Sequence, residues 1–208
     1  VGFAAGSGIT PILSIMASTM EESPDAKFTL IYGNRRMDSV MFNEALQDLK
    51  DKYPGRLTMI HILSRQAQEV DLLEGRIDGP KVRALIDALL PVGSMDEVFV
   101  CGPDGMVAAT QAALLEAGRA QSRATGRVVF WRTTAQGFEF VGVDAGSLPA
   151  TWLGTDTAVQ GTTSLQLGPD PLIEPQGIVL VSASQPERQL RVATDGLRPF
   201  TVQPGTPP

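Results

Sequence analysis

The sequence predicts an α/β region followed by an all-β region: a doubly wound parallel sheet joined to a small antiparallel, sandwich-like domain. Three observations predict it. Strand and helix patterns alternate four times up to about residue 118, which is the signature of a parallel sheet with helices on both faces. Beyond Gly126 the helical period vanishes and short β-rich runs replace it. Charge changes at the same place: residues 1–118 carry ten basic and sixteen acidic side chains, whereas 119–208 carry seven of each. The expected domains are therefore 1–118 and 119–208.

Each element has a local reason. Val1–Ala5 is a short apolar strand. Thr10 can cap a helix with Pro11 at its first position, where the missing N–H costs nothing. Phe28–Tyr32 reads as a buried strand ending at Gly33. Val40–Lys52 places Phe42, Leu46 and Leu49 at helical spacing until Pro54-Gly55 breaks the pattern. Leu57–Leu63 is a strand with His61 in its middle as a structural residue. Pro80 opens a helix whose Val82, Leu85, Ile86 and Leu89 share a face, Glu97–Cys101 is a strand, and Pro103 opens a helix expected to stop near Ala117, before Gly118. In the second half, Arg127–Thr134, Phe138–Val143, Thr162–Leu167, Ile178–Ser182, Gln189–Thr194 and Arg198–Gln203 are the expected strands. Asp195-Gly196 is a tight-turn signal, Gly168 to Pro175 is too proline-rich for regular structure, and Pro204–Pro208 is expected to be a disordered tail.

Composition narrows the chemistry. A hydrophobic fraction of 43% with 19% charged residues suits a folded chain. A net charge of −6 argues against a nucleic-acid partner. Cys101 is the single cysteine and His61 the single histidine. No internal disulfide, no Cys/His zinc site and no four-thiolate iron–sulfur cluster can be built from them. No metal site is expected. No apolar run approaches the ~18 residues of a membrane span and no signal peptide is visible, so the default expectation is cytoplasmic.

The chemistry-bearing residues stand at strand ends. Gly6-Ser7-Gly8-Ile9-Thr10-Pro11 reads as a strand end, glycine turn and helix start, the geometry that holds a pyrophosphate on backbone N–H groups. Gly33-Asn34-Arg35-Arg36 follows the second strand, Ser64-Arg65 the third, and Cys101-Gly102-Pro103-Asp104-Gly105-Met106 the fourth. A doubly wound sheet gathers all of these at its carboxyl edge. Arginine with a hydroxyl beside an adenosine makes a 2′-phosphate clamp. After Gly118 there is no nucleophile–base pair, metal cluster or phosphate loop. Trp131, Phe138, Phe140, Trp152 and Phe200 are expected in the core, and Arg132, Arg188, Arg191 and Arg198 on solvated faces.

These motifs, in this order and with His61-Ile62-Leu63-Ser64-Arg65 and Glu69-Val70-Asp71-Leu72-Leu73 between them, resemble the nicotinamide-binding domain of ferredoxin-NADP reductase-like oxidoreductases, most closely the reductase subunits of phenylacetyl-CoA epoxidases. The resemblance covers residues 1 to about 118. It implies that Gly6, Ser7, Gly8, Thr10 and Pro11 face the pyrophosphate, and that Asn34, Arg35, Ser64 and Arg65 surround the adenosine end and favour NADPH over NADH. It puts Cys101, Gly102, Pro103 and Met106 near the nicotinamide. It also implies FAD as hydride acceptor and a flavoprotein or oxygenase partner. The family's flavin barrel and cysteine-rich cluster domain have no counterpart in this sequence, so the expectation is a nucleotide-binding module inactive by itself, with no certain catalytic residue.

The second half resembles the C-terminal β-domain of the type II secretion minor pseudopilin H. The likeness rests on Ala124–Arg127, Phe138-Glu139-Phe140, Leu167–Ile173 and Thr194–Phe200, with Gln121–Thr125 as the end of that family's long helix. It implies other minor pseudopilins as partners and an inner-membrane or periplasmic setting. That family's N-terminal membrane helix is missing here. A chimera joining parts of two genes, or a truncated chain, is the resulting expectation.

Overall fold

Twelve strands and four α-helices make up the described residues 1–90, 94–143, 146–154 and 156–204 of this computed structural model. In chain order they are β1 (Gly2–Ala5), α1 (Ile9–Glu22), β2 (Phe28–Asn34), α2 (Asn43–Lys52), β3 (Leu57–Leu63), α3 (Gly79–Leu89), β4 (Val98–Cys101) and α4 (Asp104–Thr125). They continue with β5 (Phe130–Thr133), β6 (Gly137–Val143), β7 (Gly146–Trp152), β8 (Thr157–Gln160), β9 (Ser164–Gln166), β10 (Gln176–Ser182), β11 (Gln189–Thr194) and β12 (Thr201–Pro204).

The first four strands are parallel in the order β3-β2-β1-β4, with Phe3 between Ile31 and Val100. Alternation along each strand separates two cores. Ala4, Leu30, Tyr32 and Leu57 pack with Ile9, Ile12, Met16 and Met20 of α1 and Leu46 of α2. Phe3, Ile31, Ile62 and Val100 belong to the other core, with Val82, Leu85 and Ile86 of α3 and the buried face of α4. This is the doubly wound arrangement the alternation predicts.

The second half forms two sheets rather than a self-contained sandwich. β7 pairs parallel with β4, so the larger sheet continues as β4-β7-β6-β5-β9 with antiparallel pairing among β7, β6, β5 and β9. The order β12-β11-β10-β8 forms a separate antiparallel sheet. Trp131, Phe138, Phe140, Trp152 and Phe200 are buried as expected, in the same core as α3 and α4. Arg132, Arg188, Arg191 and Arg198 are exposed.

Three expectations need correction. α4 does not stop before Gly118 but runs to Thr125, and its terminator is Gly126 at φ 66° in the left-handed region. Gly118 is a packing glycine: a Cβ there would lie 3.0 Å from the Phe140 ring and 3.1 Å from Leu167 Cδ1. β7 and β8 are additional strands. β7 contains Pro149, which the sequence marks as a strand breaker, but pairing with β4 begins at Ala150, so the missing N–H is not needed there. Pro204 lies in β12, and residues 205–208 fall outside the described residues.

Arg119 sits one residue beyond the glycine and is 1% exposed. Its guanidinium donates to the carbonyls of Gly196 (2.7 Å), Pro171 (3.1 Å) and Arg198 (3.2 Å), pinning two loops to α4. Replacing it with a shorter apolar side chain removes all three bonds and leaves a void between the two loops. Arg119→Leu is expected to lower the unfolding free energy by about 3 kcal/mol in urea titration. Arg123→Leu, at a largely solvated cation, should cost under about 1 kcal/mol; equal effects would refute the assignment.

Candidate nucleotide-binding site

The carboxyl ends of β3, β2, β1 and β4 lie side by side in that order. With strands spaced ~4.8 Å, this edge is on the order of 15 Å long. It carries Ser64-Arg65, then Asn34-Arg35, then the glycine turn, then Cys101-Gly102-Pro103. Each motif singled out in the sequence therefore reaches one edge.

The turn forms because Ala5 is extended (φ −142°), Gly6 is left-handed (φ +54°) and Gly8 is already helical, entering α1 through one turn of 3-10 helix. Gly6 and Ser7 are exposed, and nothing lies within 4 Å of a Cβ placed on Gly6. Gly8 is the opposite case. A Cβ there would lie 2.2 Å from the Cys101 carbonyl oxygen and 3.0 Å from the Gly102 nitrogen. No side chain caps α1 and its first turn has no acid, so its N–H groups face the edge without a built-in anion. Thr10 is not the cap: α1 starts at Ile9 after Gly8, which places Thr10 and Pro11 second and third in the helix. Glycine replaces the hydroxyl because the backbone contact with Cys101 leaves no room for a side chain. Pro11 occupies a first-turn position where an N–H would have no helical partner, so its lack of one costs nothing.

The residues that follow β2 and β3 are brought together by backbone pairing that continues past the strands. Ser64 N–H donates to Asn34 O at 3.0 Å and Arg65 N–H to Arg35 O at 2.8 Å. Arg35 and Arg65 are exposed. Arg36 instead pairs with Asp38 at 3.2 Å. At the other end Cys101 is half-buried, and burial pushes its thiol pKa up, so the thiol stays protonated at neutral pH. Met106 is buried in the first turn of α4, with its side chain against Gly102, where a Cβ would lie 2.6 Å from Met106 Cε. Pro103 is exposed at the head of α4.

The second half adjoins this end. Leu153 N–H donates to Val100 O at 2.9 Å, and Arg188 reaches Asp104 at 2.7 Å beside a cavity of about 390 Å³. Sequence reasoning missed one residue here. Tyr32, buried on β2, donates its hydroxyl to the Gly6 carbonyl at 3.0 Å. Its place in Tyr-Gly-Asn-Arg was the available signal.

His61 is opposite Tyr32 in register, with ring centroids 6.0 Å apart. Both its ring nitrogens are buried without hydrogen-bond partners, and burial holds its pKa below the ordinary 6.5. The unfolded chain takes up a proton near 6.5 while the native state does not, so stability rises with pH through the window below 6.5. Thermal melts should show a loss of stability on acidification from pH 7 to pH 5.5 that His61→Phe flattens; an unchanged slope would count against this account. Gly8→Ala is expected to cost about 1–3 kcal/mol through overlap with main chain. Gly55→Ala, in open space, should stay within about 0.5 kcal/mol.

Comparison with known proteins identifies the family of this region. The model of the oxidoreductase NAD-binding domain family matches residues 3–112. The chain is 49% identical over 118 residues to one component of the 1,2-phenylacetyl-CoA epoxidase of Escherichia coli K12, covering 57% of this chain and 33% of that protein. It is 41% identical over 111 residues to the ferredoxin reductase component of 3-ketosteroid-9-alpha-monooxygenase of Mycobacterium tuberculosis H37Rv, covering 53% and 28%. Among solved structures it is similar to the cytochrome b5 reductase domain of Ulva prolifera nitrate reductase, with a TM-score of 0.48, 23% identity and coverage of 56% and 43%. The chain spans about a third of the length of the two curated relatives named here. With its family model matched over more than half its residues, the chain belongs to the oxidoreductase NAD-binding domain family.

Proposed function

We propose that residues 1–118 bind NADPH, or NADH more weakly, as the nucleotide module of a flavin-dependent electron-transfer reductase. The observation that carries this reading is the order of groups along the sheet edge: arginine pair, uncapped glycine turn, then Cys-Gly-Pro. In it, the N–H groups of Ser7, Gly8 and the start of α1 take the pyrophosphate, with Thr10 and Pro11 lining the same turn. Arg35 and Arg65, with Asn34 and Ser64, take the adenosine 2′-phosphate. Cys101, Gly102, Pro103 and Met106 border the nicotinamide. The neutral Cys101 thiol offers a small, uncharged neighbour to that ring.

The nucleotide supplies a hydride; the module's own part is to bind and orient it. The family resemblance makes FAD the acceptor of that hydride. A flavoprotein or oxygenase partner completes the reading, with the cytoplasm as its setting. Titration of the chain with NADPH should show saturable binding, and absence of binding at millimolar nucleotide would sink the proposal. Arg65→Ala should weaken NADPH about tenfold and leave NADH nearly unchanged, since only NADPH carries the 2′-phosphate. Equal loss for both nucleotides would refute the 2′-phosphate role.

A second reading concerns residues 119–208 as a pseudopilin-H-like structural module, so that the chain is a chimeric or truncated product of two modules, 1–118 and 119–208. The observation favouring it is that α4 ends at Thr125, where the resemblance puts the end of the pseudopilin helix, and packs Arg119 and Ser122 under the β-rich half. It implies minor pseudopilins as partners at the inner membrane. No helix among the described residues is long and apolar enough to cross a membrane. Retention of minor pseudopilins by the purified chain would support this reading, and none retained would count against it.

A further inference from the structure

We propose that Tyr32 is a positioning residue of the nucleotide site, holding the peptide between Gly6 and Ser7 so that the Ser7 N–H faces the ligand edge. This rests on the nucleotide reading given above. In a planar trans peptide a carbonyl and the following N–H point in opposite directions. The Gly6 carbonyl is directed inward, where it accepts from the Tyr32 hydroxyl at 3.0 Å and from the Ile9 N–H. The Ser7 N–H is consequently turned the other way, toward the open side on which Gly6 and Ser7 are exposed.

Glycine makes this orientation easy to lose. Gly6 is at φ +54° with nothing within 4 Å of a Cβ position, so neither sterics nor packing resists rotation of the following peptide. A rotated peptide would present a carbonyl oxygen, not an N–H, to an anion. The Ile9 bond is internal to a single 3-10 turn, which is marginal without support. Tyr32 ties the turn to a different element, the fully buried middle of β2.

Burial keeps the Tyr32 pKa raised, so the hydroxyl remains a donor to Gly6 throughout the neutral range.

The test is Tyr32→Phe in the full chain, read with two probes. NADPH contains the pyrophosphate; adenosine 2′-phosphate occupies the arginine end and does not. The expected result is a rise of about fivefold in the NADPH Kd with adenosine 2′-phosphate unchanged within twofold. A parallel loss of both probes would show general loosening and overturn the proposal, as would unchanged NADPH binding. Wild-type chain that binds adenosine 2′-phosphate and NADPH equally well would overturn it too, since the turn would then contribute nothing. Wild-type chain that binds neither overturns the nucleotide reading itself.

Discussion

Arg119 is the constraint on which much of this structure depends. A guanidinium with 1% exposure has lost its water, and only well-placed acceptors offset that loss. The acceptors are main-chain carbonyls from two loops distant in sequence, at Pro171 and at Gly196 and Arg198. The Arg198 carbonyl accepts in addition from the Thr194 hydroxyl, and the Gly196 carbonyl from the Ile173 N–H at 3.5 Å, so the two loops and the guanidinium form one network. Glu116 at 3.8 Å, shared with Arg123, supplies the countercharge from the preceding turn of the same helix. The same helix, one turn earlier, belongs to the core under β1 and β4. One helix is therefore common to the nucleotide-type sheet and to the β-rich half.

The site depends on a different regularity. β1 is central, between β2 and β4, so the glycine turn has the arginine motifs on one side and the Cys-Gly-Pro turn on the other. No single residue creates this edge. Parallel strands deliver their carboxyl ends to one side, and the connections after them are free to carry polar groups. β7 then occupies the far side of β4, which places residues of the second half next to the Cys-Gly-Pro end.

Much of this was legible in the sequence, for reasons that can be named. β3 and β11 were read with their observed bounds because β-branched and apolar runs lie between unambiguous breakers. The shared edge was legible because parallel strands alternating with helices deliver their carboxyl ends to one side, and the glycine and arginine motifs follow those strands directly. The failures share a cause: local rules were overridden by tertiary packing. Gly118 looked like a helix terminator, but the helix crosses Phe140 and Leu167 there and needs a small residue. Thr10 looked like a cap, but the turn is shaped by contact with β4. β7 carries Pro149 yet pairs with β6 from Gly146 onward, and with β4 only from Ala150. The Tyr32 contact joins residues 26 apart in sequence, so the Tyr-Gly-Asn-Arg motif marks the tyrosine but not Gly6 as its partner.

The contact between Gly8 and Cys101 has a consequence for how this sequence can vary. The obstacle to any side chain at position 8 is a carbonyl group, and every residue at position 101 has one. A compensating substitution across the contact cannot exist, because there is no side chain to trim. Most core positions drift in correlated pairs, one growing as its neighbour shrinks. Position 8 is closed to that exchange, so its lineage can wander only by moving the turn into α1 and the end of β4 apart.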